Sequence, residues 1–140
     1  MSVLTPLGAA IAELLADGTV NGITAGRVRP VEPGENDAKG AGHYVPFVIV
    51  STLDAPIQAT VATSAVALGI RAYAASFAAA EALYLACIAV FHRRGARIAA
   101  NGVGIYNSLA IGGPTLGKDP DTQQPVASGV VELNVSIQPV

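Results

Sequence analysis

Read for the rhythm of hydrophobic and polar positions, the chain changes period several times. In TPLGAAIAELLADG, residues 5–18, Leu7, Ile11, Leu14 and Leu15 recur at helical spacing. Thr5 is placed to cap that helix, Pro6 suits its first position and Gly18 is placed to end it. GRVRPV, residues 26–31, reads as a short strand, and EPGENDAKGAGH, residues 32–43, as a polar loop. YVPFVIVSTL is rich in strand formers, with Pro46 indicating an edge position or a strand beginning. The second half of ATVATSAVALGIRAY alternates: Val66, Leu68 and Ile70 face one way, Ala67, Gly69 and Arg71 the other. GVVELNVSIQPV alternates most cleanly, with Val131, Leu133, Val135 and Ile137 facing in and Glu132, Asn134 and Ser136 facing out.

Between these strands lies FAAAEALYLACIAVFHRRG, residues 77–95. At helical spacing Leu83, Ala86, Cys87 and Val90 line one side, and Glu81, Leu85, Ile88 and His92 the other. A helix that is apolar nearly all round is normally covered all round. The chain's own sheet can cover one face. In a chain of 140 residues little remains for the other, so a neighbouring subunit or a long loop is expected there. After Gly95, RIAANGVGIYNSLAIGG reads as two short strand-like pieces broken by glycines, and PTLGKDPDTQQPVASG as a long polar loop. The order predicts one α+β domain over residues 1–140: a mostly antiparallel sheet with an N-terminal helix and a long central helix packed on one face.

Composition sharpens this picture. The chain is 51% hydrophobic but only 13% charged and 5% aromatic, so much of its apolar content is alanine. Small side chains bury little area each, and such a chain is expected to complete its burial against copies of itself. A net charge of −2 argues against a nucleic-acid gripping surface. A membrane span is not expected, because Glu81 sits inside the apolar run and His92, Arg93 and Arg94 close it. Before Arg27 there is no Lys or Arg, and Glu13 interrupts the apolar residues, so no secretory leader is read there.

Candidate chemistry is sparse. GGPTLGKD, residues 112–119, keeps the glycine and lysine spacing of a phosphate-binding loop, but Asp119 stands where a Ser or Thr would ligate magnesium. DPDTQQP lacks the oxygen ladder of a calcium loop. His43 and His92 form no ligand pair, and no serine is singled out as a nucleophile. Cys87, the one cysteine, is expected to be a buried inert thiol. Arg93, Arg94 and Arg97 follow the long helix, where they suit its dipole or acids on an adjoining subunit. No cofactor, metal or catalytic residue is expected.

In their order and in chain size, these pieces resemble the tail terminator (tail completion) proteins of long-tailed bacteriophages. The resemblance rests on the helix TPLGAAIAELLADG leading into GRVRPVEP, the proline-containing strand HYVPFVIVS, the run ALGIRAYAASFAAAEALYLACIAVF, and the DPDT loop before GVVELNVSIQPV. It implies a homo-oligomeric ring, typically hexameric, at the head-proximal end of the tail tube. Such a ring ends tube growth and provides the head-joining surface. The implied partners are further copies of the chain, the tail tube protein and the head–tail connector protein, with DNA only as passing cargo. The implied location is the virion, and the host cytoplasm during assembly. The subunit-interface candidates are Glu81, Leu85, Ile88, His92, Arg93 and Arg94. The assembly-loop candidates are Glu32, Glu35, Asp37 and Lys39 in one polar loop and Lys118, Asp119 and Asp121 in the other, over residues 112–128. Two other readings stand beside it. One is a head-closure or connector-adaptor protein. The other is a small oligomeric enzyme or ligand-binding α+β protein, which predicts a pocket with convergent polar groups.

Overall fold

The computed structural model describes residues 6–30, 46–54, 63–99, 102–119 and 123–136. Thr5, His43 and the loop candidates Glu32, Glu35, Asp37, Lys39 and Asp121 lie outside the described residues. Among the described residues, three helices and six strands occur in order: α1 (Pro6–Ala16), α2 (Gly18–Thr24), β1 (Val28–Arg29), β2 (Phe47–Asp54), β3 (Thr63–Tyr73), α3 (Phe77–Phe91), β4 (Arg97–Ile98), β5 (Gly104–Lys118) and β6 (Pro125–Ser136). They build one sheet of order β1-β2-β3-β6-β5-β4. β1 and β2 run parallel, and the other four neighbouring pairs among these strands are antiparallel. This is the α+β class that the sequence predicts.

The centre of the sheet is the ladder between β3 and β6, in register from Thr63 opposite Ser136 to Tyr73 opposite Val126. Strand side chains alternate between faces. Val66, Leu68, Ile70 and Ala72 of β3 and Ala127, Val131, Leu133 and Val135 of β6 therefore share one face, and all are buried. The helices cover that face. α1 contributes Ala9, Ala10 and Leu14, and α3 contributes Ala80, Leu83, Cys87 and Val90 to the same core. On the opposite face Phe47, Ile49 and Tyr73 form a small second cluster, with the Phe47 and Tyr73 rings stacked 4.4 Å apart.

The structure corrects several expectations. Gly18 does not close a single helix; it opens α2. Asp17 caps that helix by accepting the Val20 amide at 3.0 Å, and Val20 and Thr24 are buried. GTVNGIT is a poor helix former by propensity, so its tertiary contacts override the local signal. Leu15, placed by spacing on the core face of α1, is exposed. Pro46 immediately precedes β2, so it marks a strand beginning, and β2 lies between β1 and β3.

The largest correction concerns the second polar loop. Residues 112–128 are not a loop. β5 runs as one strand from Gly104 to Lys118, β6 begins at Pro125, and only residues 119–124 connect them. The glycines expected to break β5 instead sit at bulges, where the register with β6 slips between Ala110 and Gly112 and again between Gly112 and Thr115. A bulge absorbs an extra residue without ending the pairing, and the long β6 template holds both halves of β5 in line. Lys118 therefore ends a strand, and Asp119 opens the turn, where its amide donates to the Gln124 carbonyl at 2.9 Å. Gly112 to Lys118 of the phosphate-loop spacing fall on this strand, and the next described element along the chain is another strand, not a helix whose N-terminus would cradle an anion.

Candidate assembly surface

Local chemistry fixes α3 at both ends. Ser76 accepts the Ala79 amide at 3.1 Å as the N-cap. At the other end the His92 amide donates to the Ile88 carbonyl, and the Arg94 guanidinium donates to the Val90 carbonyl at 3.1 Å. That second contact places a cation on the last-turn carbonyls, where the helix dipole favours it. Arg93 adopts a left-handed backbone, with φ of 54°, and turns the chain back toward the sheet.

The returning segment lies along the outer edge of β5. Arg94 and Ser108 exchange two backbone hydrogen bonds, of 3.2 and 3.0 Å. The Ala110 amide donates to Nδ1 of His92 at 3.3 Å, and Tyr84 donates its hydroxyl to the Gly112 carbonyl at 2.8 Å. Pro114 has no amide to offer. An exposed strand edge invites unwanted pairing, and here Ser108, Ala110 and Gly112 of β5 are each engaged by α3 or by the residues just after it. His92 and Arg94, expected to meet a neighbouring subunit, are thus engaged within their own chain. Arg97 is engaged too: it grips both carboxylate oxygens of Glu13 at 2.6 and 2.7 Å and donates to the Ser108 hydroxyl at 2.8 Å. The paired Arg97 and Glu13 side chains are only 11% and 9% exposed. This pair ties α1 to β4 and β5.

Tyr84 reaches the sheet through a gap left by glycine. A Cβ on Gly129 would collide with the Tyr84 hydroxyl and the Gly112 carbonyl. Gly113, with φ of 102°, bends β5 around the same point. Burial pushes the Tyr84 hydroxyl above its ordinary range, and the neighbouring Cys87 adds to the effect. The Cys87 thiol is buried and is pushed up to about 12, chiefly by desolvation and then by Asp17. It stays protonated at neutral pH and inert, as the sequence suggested.

The two sides of α3 now separate. Ala80, Leu83, Tyr84, Cys87, Val90 and Phe91 are buried. Glu81, Ala82, Leu85 and Ala89 face outward, with Leu85 52% exposed and Phe77 also uncovered. Ile88, grouped with Leu85 by spacing, is instead partly buried against the chain's own core. Among the interface candidates, Glu81, Leu85, His92, Arg93 and Arg94 are exposed on or just beyond α3, whereas Ile88 is half buried.

A groove of about 390 Å³ between α1 and the end of α3 is lined by Glu13, Asp17, Arg94 and Ile98 among others. Its Glu13 carboxylate is already engaged by Arg97. Among the described residues no cluster of three His, Cys, Asp or Glu is arranged to hold a metal ion, and no helix is long and apolar enough to cross a membrane.

No protein-family model matches the sequence, and no curated protein matches it. Among solved structures the chain is similar in fold to a chain from the "Virion of native gene transfer agent (GTA) particle". The likeness has a TM-score of 0.65 and covers 94% of each chain, at 15% sequence identity, so it is a likeness of fold across nearly the whole of both.

Proposed function

We propose that this protein is a structural assembly component of a phage-like particle, and more narrowly a tail terminator. In this reading copies of the chain close into a ring, typically of six, on the head-proximal end of the tail tube. The ring ends tube growth and offers the surface to which the head joins, and no bond is made or broken. The observation that carries the reading is the shared fold with a virion chain along almost the full length of both. The outer side of α3 supports it: a mostly alanine surface crowned by Leu85 is suited to burial by a neighbour rather than to water.

Two measurements test it. Tail tubes assembled with the protein present should be capped at one end and limited in length when viewed by electron microscopy. Tubes of unrestricted length without a terminal ring would defeat the terminator reading, and binding to portal-bearing heads alone would favour an adaptor. Separately, Leu85→Asp should abolish assembly while leaving the monomer's thermal transition in place, because Leu85 makes little use of its own core.

A further inference from the structure

Cover of the outer β5 edge stops at Gly112. Farther along, residues 114–118 have no strand on their outer side among the described residues. Residues 111–116 and Lys118 are all exposed, with Leu116 45% exposed, so the helical layer does not overhang this stretch. Edge strands are commonly guarded by charge, yet no charged residue occurs over residues 104–117.

Alternation fixes which backbone groups point outward. In an antiparallel pair, hydrogen-bonded and non-bonded positions alternate. The Asp119 amide donates to the Gln124 carbonyl across the hairpin, and the Pro125 carbonyl turns the other way, to the Ala74 amide. Counting back through the partners Lys118–Pro125, Gly117–Val126, Leu116–Ala127 and Thr115–Ser128, Gly117 and Thr115 face β6, whereas Lys118 and Leu116 turn amide and carbonyl outward. Pro114, the next outward position, has a carbonyl but no amide.

This edge is complementary to itself. Set antiparallel to a second copy, with Leu116 opposite Leu116, it exchanges two hydrogen bonds at that position. Each Lys118 amide then meets the Pro114 carbonyl of the partner subunit, a position that needs no donor from Pro114. The two Lys118 residues stand four strand residues out of line, about 13 Å, beyond the screening length of about 8 Å at physiological salt. Leu116 shares its face with Ala127 and Ala72, the side the helices occupy. The two leucines would therefore lie against each other on one face of a continuous sheet.

We propose that two copies of the chain pair through β5 over residues 114–118, by a two-fold antiparallel contact that joins their sheets. The contact uses a different surface from the outer side of α3, so neither depends on the other.

The test uses the full chain. Leu116→Cys faces itself across the two-fold with Cα atoms about 5.5 Å apart, inside disulfide range. Lys118→Cys is equally exposed but does not face itself. Cys87 is fully buried, so it contributes no background. On mild oxidation Leu116→Cys should form the covalent dimer at least tenfold faster than Lys118→Cys at the same concentration. In sedimentation Leu116→Lys should weaken the dimer at least tenfold, because it sets like charges directly opposite each other. Equal oxidation rates, together with Leu116→Lys sedimenting like the parent, overturn the proposal. If Leu116→Lys instead weakens binding to tube protein and leaves the sedimentation of the free chain unchanged, the edge pairs with the tube and self-pairing falls.

Discussion

The two sides of α3 are almost equally apolar, yet one is core and the other is surface. The inner side carries the large residues Leu83, Tyr84, Val90 and Phe91, which mesh with β3, β5 and β6. Apart from Phe77 at its first turn, the outer side carries alanines, a single leucine and Glu81. Side-chain size, more than polarity, separates the two. Large side chains fill the space between helix and sheet, and small ones leave a smooth exposed ridge. Truncation on the inner side gives the largest effect. Leu83→Ala should cost about 3–4 kcal/mol, the cavity cost of a fully buried leucine, read as a lowered midpoint in urea unfolding. An unchanged midpoint would mean that α3 is not seated as described.

The next effect comes from the lock that holds the helical layer to the sheet. Arg97→Ala leaves the Glu13 carboxylate largely buried without its bidentate partner. Removing one member of such a pair costs about 3 kcal/mol. Arg97→Lys should recover only part, because an ammonium cannot grip both oxygens at once. Full recovery by lysine would show that charge alone matters there.

A smaller effect tests how the inner side reaches β5. Gly129→Ala places a methyl group where the Tyr84 hydroxyl sits, and overpacking of this kind costs about 2 kcal/mol. Tyr84→Phe alone should cost about 1 kcal/mol through the lost hydrogen bond to Gly112. In the Tyr84→Phe background, Gly129→Ala should cost less than it does alone, since one of the colliding atoms is gone. Additive costs would place the collision on the strand backbone instead, as coupling arises only between groups in contact.

The sequence revealed the parts of this architecture that depend on period alone. The alternation of β3 and β6 gave Val66, Leu68, Ile70, Val131, Leu133 and Val135 as their buried face, with Ile137 outside the described residues, and helical spacing gave Leu83, Cys87 and Val90 as the core side of α3. What it hid depends on partners distant in the chain. β5 looked broken at Gly112 and Gly113 because nothing local shows that β6 will carry it through its bulges. α2 left no signal beyond Gly18, read as a helix end, because Val20 and Thr24 are buried by contacts that include the long helix and β2, far away in sequence. The contacts that His92, Arg94 and Arg97 make within the chain were hidden too, because their partners Glu13, Ser108 and Ala110 come from other elements.

The smallest effect on the monomer is the one that bears most on function. Leu85→Ala trims to a methyl group a side chain that is already half in water. Surface substitutions away from caps and networks change stability by about 0.5 kcal/mol or less. Alanine is also a better helix former than leucine, so the small loss of packing and the small gain in propensity nearly cancel. The unfolding midpoint should therefore hardly move. On the proposed reading, in which the outer side of α3 meets a neighbouring copy, association should nonetheless weaken, because a few interface side chains carry a disproportionate share of the binding energy. Sedimentation of the variant beside the parent, at matched concentration, reads the two quantities apart. A destabilised monomer with intact association would assign Leu85 to the core and erase the distinction between the two sides of α3.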